Sequence, residues 1–255
     1  MDQHNLIADI TAYWDSHIHD LAIVTNPVGT PGFFRQLDEY RYDKLNYLPR
    51  LVDFDSYRGK TLLEIGCGAG VDLVRFARAG AVVTGVDLSR TAIDLARQNL
   101  DQQGLEASLQ IMNGEALQFA DDSFDVVYAH GVLQYTADTG KMVSEIYRVL
   151  RPRGEAILMV YNRISWLNLM RKVTKVPLEH EDAPVLKKFS IAEFKQLLKP
   201  FKRYTIIPER FPVRTKLHSG LKARLFNDVF VGTFNRMPRA WVRPFGWHLM
   251  AFAVK

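Results

Sequence analysis

The chain of 255 residues is poor in several things, and each shortage excludes a class of protein. It holds one cysteine, Cys67, so no disulfide can form within it. No uninterrupted apolar run reaches the ~18 residues needed to cross a bilayer. The opening residues, Met1-Asp2-Gln3-His4-Asn5-Leu6, lack a basic stretch leading into an apolar core, so no signal peptide is expected and the expected location is cytoplasmic. Histidines, carboxylates and the single cysteine never cluster at metal-ligand spacing, and no metal is expected. Repeats and low-complexity tracts are missing as well.

What is present is ordinary globular material, 47% hydrophobic and 24% charged. The net charge of +5 is unevenly placed. Residues 210–243 carry eight basic side chains and one acid, Asp228, leaving 25 basic and 27 acidic residues elsewhere, a net of −2. Basicity therefore belongs to one segment, which argues against a general nucleic-acid binder.

Along the chain, residues 1–57 read as irregular to helical, with turn chemistry from Asn26 to Gly32 and an amphipathic helix expected over 38–51. From residue 59 short apolar runs alternate with helical periods. Strands are expected at 61–65, 81–87, 108–112, 124–130 and 155–161, with helices near 71–79, 90–103 and 139–150. Ser190 and Glu193 form a capping box for a helix over 190–198, and 203–208 and 247–254 read as two further strands. Such alternation predicts an α/β fold, a mostly parallel sheet with helices on both faces, and a ligand at the carboxyl ends of its strands.

The most informative stretch is Thr61-Leu62-Leu63-Glu64-Ile65-Gly66-Cys67-Gly68-Ala69-Gly70. An apolar strand runs into three alternating glycines and then a helix, where backbone N–H groups and the missing Cβ atoms let a ligand approach closely. Dinucleotide sites prefer G-x-G-x-x-G, but Val71 stands at the third glycine position. Asp87 closes the second strand 21 residues after Gly66, where a carboxylate can accept from both ribose hydroxyls. The competing role for Asp87, capping the next helix, suits Ser89 better.

Together with Gly85-Val86-Asp87-Leu88-Ser89, Asp122-Ser123-Phe124-Asp125-Val126-Val127 and the run from Glu145 to Glu155, this loop resembles the class I S-adenosylmethionine-dependent methyltransferases, most of all the ubiquinone/menaquinone-biosynthesis type. The likeness covers about residues 48–161. It implies a Rossmann-like seven-stranded sheet, with residues 1–57 as a cap or lid and 58–255 as the methyltransferase domain, including a helical insertion at 210–246 before the last strand. It also implies S-adenosyl-L-methionine as cofactor. Glu64, Gly66, Cys67 and Gly68 would line the methionine moiety, with Gly70 completing the loop. Asp87 would hold the ribose, Leu88 would pack on the adenine, and Asn113 and Gly114 would meet the adenine edge. His130 stands where the family's backbone contacts the amino end, although its side chain can equally fill space. Cys67 is a small loop residue rather than a nucleophile, with no base beside it in sequence.

A general base is needed only if the acceptor must lose a proton. Tyr13, His17 and Tyr135 are the candidates, each of which can equally be a packing residue of the cap. Gln134-Tyr135 departs from the His-His that relatives often carry. The fourth strand ends in His130-Gly131-Val132 rather than the Asp/Asn-Pro-Pro-aromatic run of amino-directed nucleic-acid methylases, and no Pro-Cys nucleophile is present. A small-molecule methyl acceptor is expected, and no nucleic acid. For residues 210–243 three readings stand together: an amphipathic surface on anionic membrane, a lid binding an anionic substrate, or a solvated helical cap. The non-enzyme alternative is a protein that binds S-adenosylmethionine for regulation or assembly. The sequence says nothing of oligomeric state.

Overall fold

The computed structural model describes residues 3–18, 23–174, 180–212 and 225–255. Seven strands form one sheet: β1 (Thr61–Ile65), β2 (Val82–Asp87), β3 (Ser108–Ile111), β4 (Phe124–His130), β5 (Leu150–Tyr161), β6 (Arg203–Glu209) and β7 (His248–Val254). Their order is β3-β2-β1-β4-β5-β7-β6. The pairs β1–β2, β2–β3, β1–β4 and β4–β5 are parallel, while β7 runs antiparallel to both β5 and β6. The expected mostly parallel, Rossmann-like sheet is therefore observed.

Period-two alternation explains the two-sided core. Leu62, Val126 and Ile157 pack on one face with Phe76 of helix α4 (Val71–Arg78) and Ile93 of α5 (Arg90–Gln102). Their chain neighbours Leu63, Val127 and Leu158 pack on the other with Met142 and Ile146 of α6 (Thr139–Val149). The reversal of strand order between β1 and β4 opens a crevice at the carboxyl edge of the sheet.

The core strands lie within a residue or two of expectation, apart from β5. It begins at Leu150, which pairs with Phe124 before a register shift, so it starts five residues ahead of the expected 155. The Ser190–Glu193 capping box is formed as expected. The N-terminal part differs more. A helix expected over 38–51 is instead α2 (Pro31–Lys44), followed by the short α3 (Leu48–Leu51). Thr30 caps α2 by accepting from the Phe33 N–H, and Pro31 supplies a preset φ at the first helical position. The turn chemistry of 26–32 thus ends inside the helix's first turn. Ahead of it lies α1 (Gln3–Ser16).

Part of the basic segment 210–243 falls outside the described residues. Those described include a wide helical turn at Leu225–Val231, a helix at Gly232–Arg236 and another at Arg239–Val242. Among the described residues no helix is long and apolar enough to cross a membrane.

Candidate functional site

The crevice at the carboxyl edge is the floor of a pocket whose roof comes from α1 and α2. Ile10, Trp14 and His17 reach it from the α1 side, and Leu37, Arg41 and Lys44, spaced three and four apart, reach it from α2. On the sheet side it is lined by Glu64, Gly66, Cys67, Gly68, Asp87, Leu88, Asn113, Gly114 and His130.

The glycine loop is tied down by its neighbours. Gly66 and Cys67 N–H groups donate to the Val86 carbonyl at 2.7 and 3.1 Å. The Gly68 N–H donates to Asp87 Oδ2 at 3.0 Å, and Ser89 N–H donates to Asp87 Oδ1 at 2.9 Å. Each Asp87 oxygen so retains a lone pair for a ligand. Ser89 caps α5 by accepting from the Ala92 N–H, and its hydroxyl donates to Asp15 of α1 at 2.8 Å, which fixes α1 over the site.

The three glycines differ in what they make room for. A Cβ on Gly66 would stand 2.2 Å from Val132 Cγ2. On Gly70 it would stand 3.2 Å from the Ala96 backbone, so Gly70 serves helix packing and does not line the pocket, which corrects its expected ligand role. Only at Gly68, with φ +53°, would a Cβ meet nothing within 4 Å. That space is the pocket itself.

Glu64 is the site's electrostatic anomaly. It is buried, and its Oε2 has no hydrogen-bond partner. Burial first, then the negative charges of Asp72 and Asp87, push its carboxyl well above the usual carboxylate range against the opposing pull of Arg41. A buried, unsatisfied carboxylate lining a pocket calls for a cation. The sulfonium and ammonium groups of S-adenosylmethionine are of that kind, and the open space at Gly68 gives the ligand chain room. The residues present fit that cofactor. Cys67 is held protonated by burial and by Asp87 and Glu64, in keeping with a packing role.

Asn113 Oδ1 accepts from the Glu115 N–H at 2.9 Å, forming a local turn that presents Gly114 to the pocket. Of the candidate bases, His17 and Tyr135 line the pocket; the Tyr135 hydroxyl donates to Tyr161 at 3.3 Å. Tyr13 does not. Its ring stacks on His17 with centroids 4.1 Å apart, and its hydroxyl donates to Asp182 at 2.9 Å. Burial and Asp182 both push its pKa up, so a proton-accepting role is not supported.

Sequence reasoning missed a buried polar cluster at the far end. Asp72, one residue into α4, accepts from Nε and Nη2 of Arg41 and from the hydroxyls of Tyr42 and Tyr128 at 2.7 and 2.8 Å. Beside it, Tyr47 Oη lies 3.0 Å from His130 Nε2 and 2.5 Å from His248 Nδ1, and Arg210 Nη1 lies 3.0 Å from His248 Nε2. The antiparallel run of β7 brings its first residue, His248, opposite Tyr161 at the carboxyl edge. The three-and-four spacing of Leu37, Arg41 and Lys44 was readable once α2 had its proper start. Nothing local marked Tyr47, Arg210 or His248.

Residues 63–158 match the family model described as a methyltransferase domain. Over those residues the chain resembles the class I S-adenosylmethionine-dependent methyltransferases. The chain is 30% identical over 120 residues to a ubiquinone biosynthesis O-methyltransferase of Coxiella burnetii, covering 47% of this chain and 50% of that one. With the ubiquinone biosynthesis O-methyltransferase of Ruegeria pomeroyi it shares 31% identity, covering 59% of each. The chain thus spans about half the length of the curated relatives it matches. Among solved structures, the chain is similar to S-adenosylmethionine-dependent methyltransferases of Mesorhizobium loti and Aquifex aeolicus. The first has a TM-score of 0.58 at 17% identity over 84% of this chain and 99% of that one. The second has 0.56 at 15% identity over 88% and 98%. These two likenesses concern the fold.

Proposed function

We propose that the protein transfers the methyl group of S-adenosyl-L-methionine to an O, N, C or S nucleophile of a small molecule held between the sheet's carboxyl edge and the helices α1 and α2. The observation that carries this is the unpartnered Glu64 oxygen buried beside the open space at Gly68. Glu64, Gly66, Cys67 and Gly68 would hold the methionine end, with His130 next to it. Asp87 would take the ribose hydroxyls and Leu88, Asn113 and Gly114 the adenine. The cofactor supplies a methyl group activated by a sulfonium leaving group, so the protein's main task is alignment, worth about 7–11 kcal/mol. If the nucleophile is protic, His17 and Tyr135 are the two of the three expected base candidates that line the pocket.

Residues 1–57 act in this reading as a cap, supported by the side chains α1 and α2 send into the pocket, and 58–255 as the catalytic domain with its insertion at 210–246. The aromatic side chains Trp14, Tyr135 and Tyr161 that line the pocket favour a small molecule over a nucleic acid. Incubation with methyl-labelled cofactor and a metabolite extract tests the proposal: a labelled small molecule is expected, whereas tight cofactor binding with no labelled product would support a regulatory or assembly role instead.

Contact with anionic membrane through the 210–243 region is a finer proposal. It is supported by exposed Ile164, Leu169, Met237, Trp241 and Phe245, which share one groove with Arg163, Arg171 and Lys188. Co-sedimentation with anionic but not neutral liposomes is expected, and equal recovery with both would end the idea.

A further inference from the structure

Two buried carboxylates, Glu64 and Asp72, lie within electrostatic reach of each other and of one guanidinium, that of Arg41. The fold divides its hydrogen-bond donors between them unevenly. Asp72 of α4 receives Nε and Nη2 of Arg41 and, at 2.7 and 2.8 Å, the hydroxyls of Tyr42 and Tyr128. Those donors favour its ionised form. Glu64 of β1 stands in register with Tyr128 of β4, yet the Tyr128 hydroxyl donates to Asp72. The Glu64 Oε2 atom has no hydrogen-bond partner. A third carboxylate, Asp87 of β2, is also pushed up by burial, but the Ser89 and Gly68 N–H groups oppose this and favour its charged form.

The charged or titratable neighbours of Glu64 are thus Arg41 from α2, Asp72 from α4, Asp87 from β2, Tyr128 and His130 from β4, and the protonated Cys67 thiol. The same pocket is also lined by His17, Lys44, Glu115, Arg210 and His248. Arg41 is the cation that acts directly on Glu64, and it is already bridged to Asp72. Like charges packed in a low dielectric resist ionising together, so a shared proton stays on the group that donors stabilise least. That group is Glu64.

A ligand cation changes this balance. S-adenosylmethionine carries a sulfonium and, at its amino-acid end, an ammonium beside a carboxylate. In methyl transfer the S–CH3 bond breaks, the carbon bonds to the acceptor nucleophile, and sulfur keeps the electron pair as a neutral thioether. The spent S-adenosylhomocysteine retains the ammonium and the carboxylate. The two ligands therefore differ by one methyl group and one positive charge, a difference that a buried, low-dielectric site enlarges.

We propose that Glu64 sorts the methyl donor from its spent form by charge, holding a proton while the pocket is empty and giving it up to solvent when the sulfonium binds. The proposal rests on the reading of this pocket as a methyl-transfer site. Once the sulfonium charge is gone, Glu64 regains its proton, which weakens the hold on the product and favours exchange.

The test is calorimetry on the full chain with S-adenosylmethionine and S-adenosylhomocysteine between about pH 5 and 7, below the α-amino range of about 7.7–8.0, so that both ligands keep their ammonium. Paired buffers of unlike ionisation heat count the protons released. Donor binding is expected to release more protons than product binding. The donor-to-product affinity ratio is expected to rise at least about fivefold across that window, within the limit of about tenfold per pH unit for one proton. Glu64→Gln keeps the shape without the charge and should flatten the ratio and cancel the difference in proton release. A pH-independent ratio in the wild type, equal proton release with both ligands, or a pH dependence that survives in Glu64→Gln would each overturn the proposal. Infrared difference spectra of the wild type give a reading that needs no variant: a protonated-carboxyl C=O band should vanish with the donor, and its persistence would overturn the proposal too. Failure of the wild type to bind either ligand would instead overturn the methyl-transfer reading itself.

Discussion

Glu64 sits in the pocket as a carboxylate that the fold leaves without a partner, which is costly for stability and useful for a cationic ligand. Its folded pKa lies above the unfolded value, so the ligand-free fold loses stability as pH rises through the ordinary carboxylate range toward the folded value, because the unfolded chain gives up that proton first. Glu64→Gln should therefore melt at the same or a higher temperature without ligand, yet bind S-adenosylmethionine about 1–3 kcal/mol more weakly through the lost charged interaction. Thermal melting and calorimetry check both halves; a drop in stability with unchanged affinity would contradict the role. The glycines beside it mark a limit of sequence reading. Gly66, Gly68 and Gly70 look alike in the chain, and all three were expected to serve the ligand. Their reasons separate only when Val132, Ala96 and open pocket are seen around them, because sequence records a missing Cβ but not what takes its place.

At the scale of elements, α2 is held to the sheet domain by the bond between Arg41 and Asp72 of α4. The Asp72 side chain is fully buried and that of Arg41 only 15% exposed. Burial alone would raise the Asp72 pKa, but Arg41, then His130 and the Tyr42 hydroxyl, outweigh it and hold the carboxyl far below its usual range. A depressed folded pKa stabilises the protein fully above the unfolded value of about 3.9, and that contribution is lost as pH falls further toward the folded one. Asp72→Asn leaves Arg41 buried without its counter-charge and should cost about 3–5 kcal/mol, read by chemical denaturation at neutral pH. A loss under about 1 kcal/mol would place the pair with weakly contributing surface bridges. The sheet strands were legible because apolar runs bounded by glycine admit few alternatives. The start of α2 was obscured because Asn26-Pro27-Val28-Gly29 reads as turn right up to the Thr30 cap.

Over the whole molecule, the sheet order gathers the proposed donor half of the site within one continuous stretch, from Glu64 to His130, whose motif residues line one pocket. The other half draws Arg41, Tyr47, Arg210 and His248 from opposite ends of the chain, joined by the antiparallel final strand. No spacing in the sequence reports contacts such as Tyr47 with His248, 201 residues apart.

The central claim is that the loop after β1 and the carboxylate ending β2 bind one adenosyl–methionyl ligand. A calorimetric titration of wild type and Asp87→Ala with S-adenosylhomocysteine, with NAD as a control, tests it most directly. The account predicts binding to the wild type, a loss of about 1–3 kcal/mol in Asp87→Ala through the missing charged hydrogen bonds, and no binding of NAD. Unchanged affinity in Asp87→Ala, or NAD binding in place of S-adenosylhomocysteine, would contradict it.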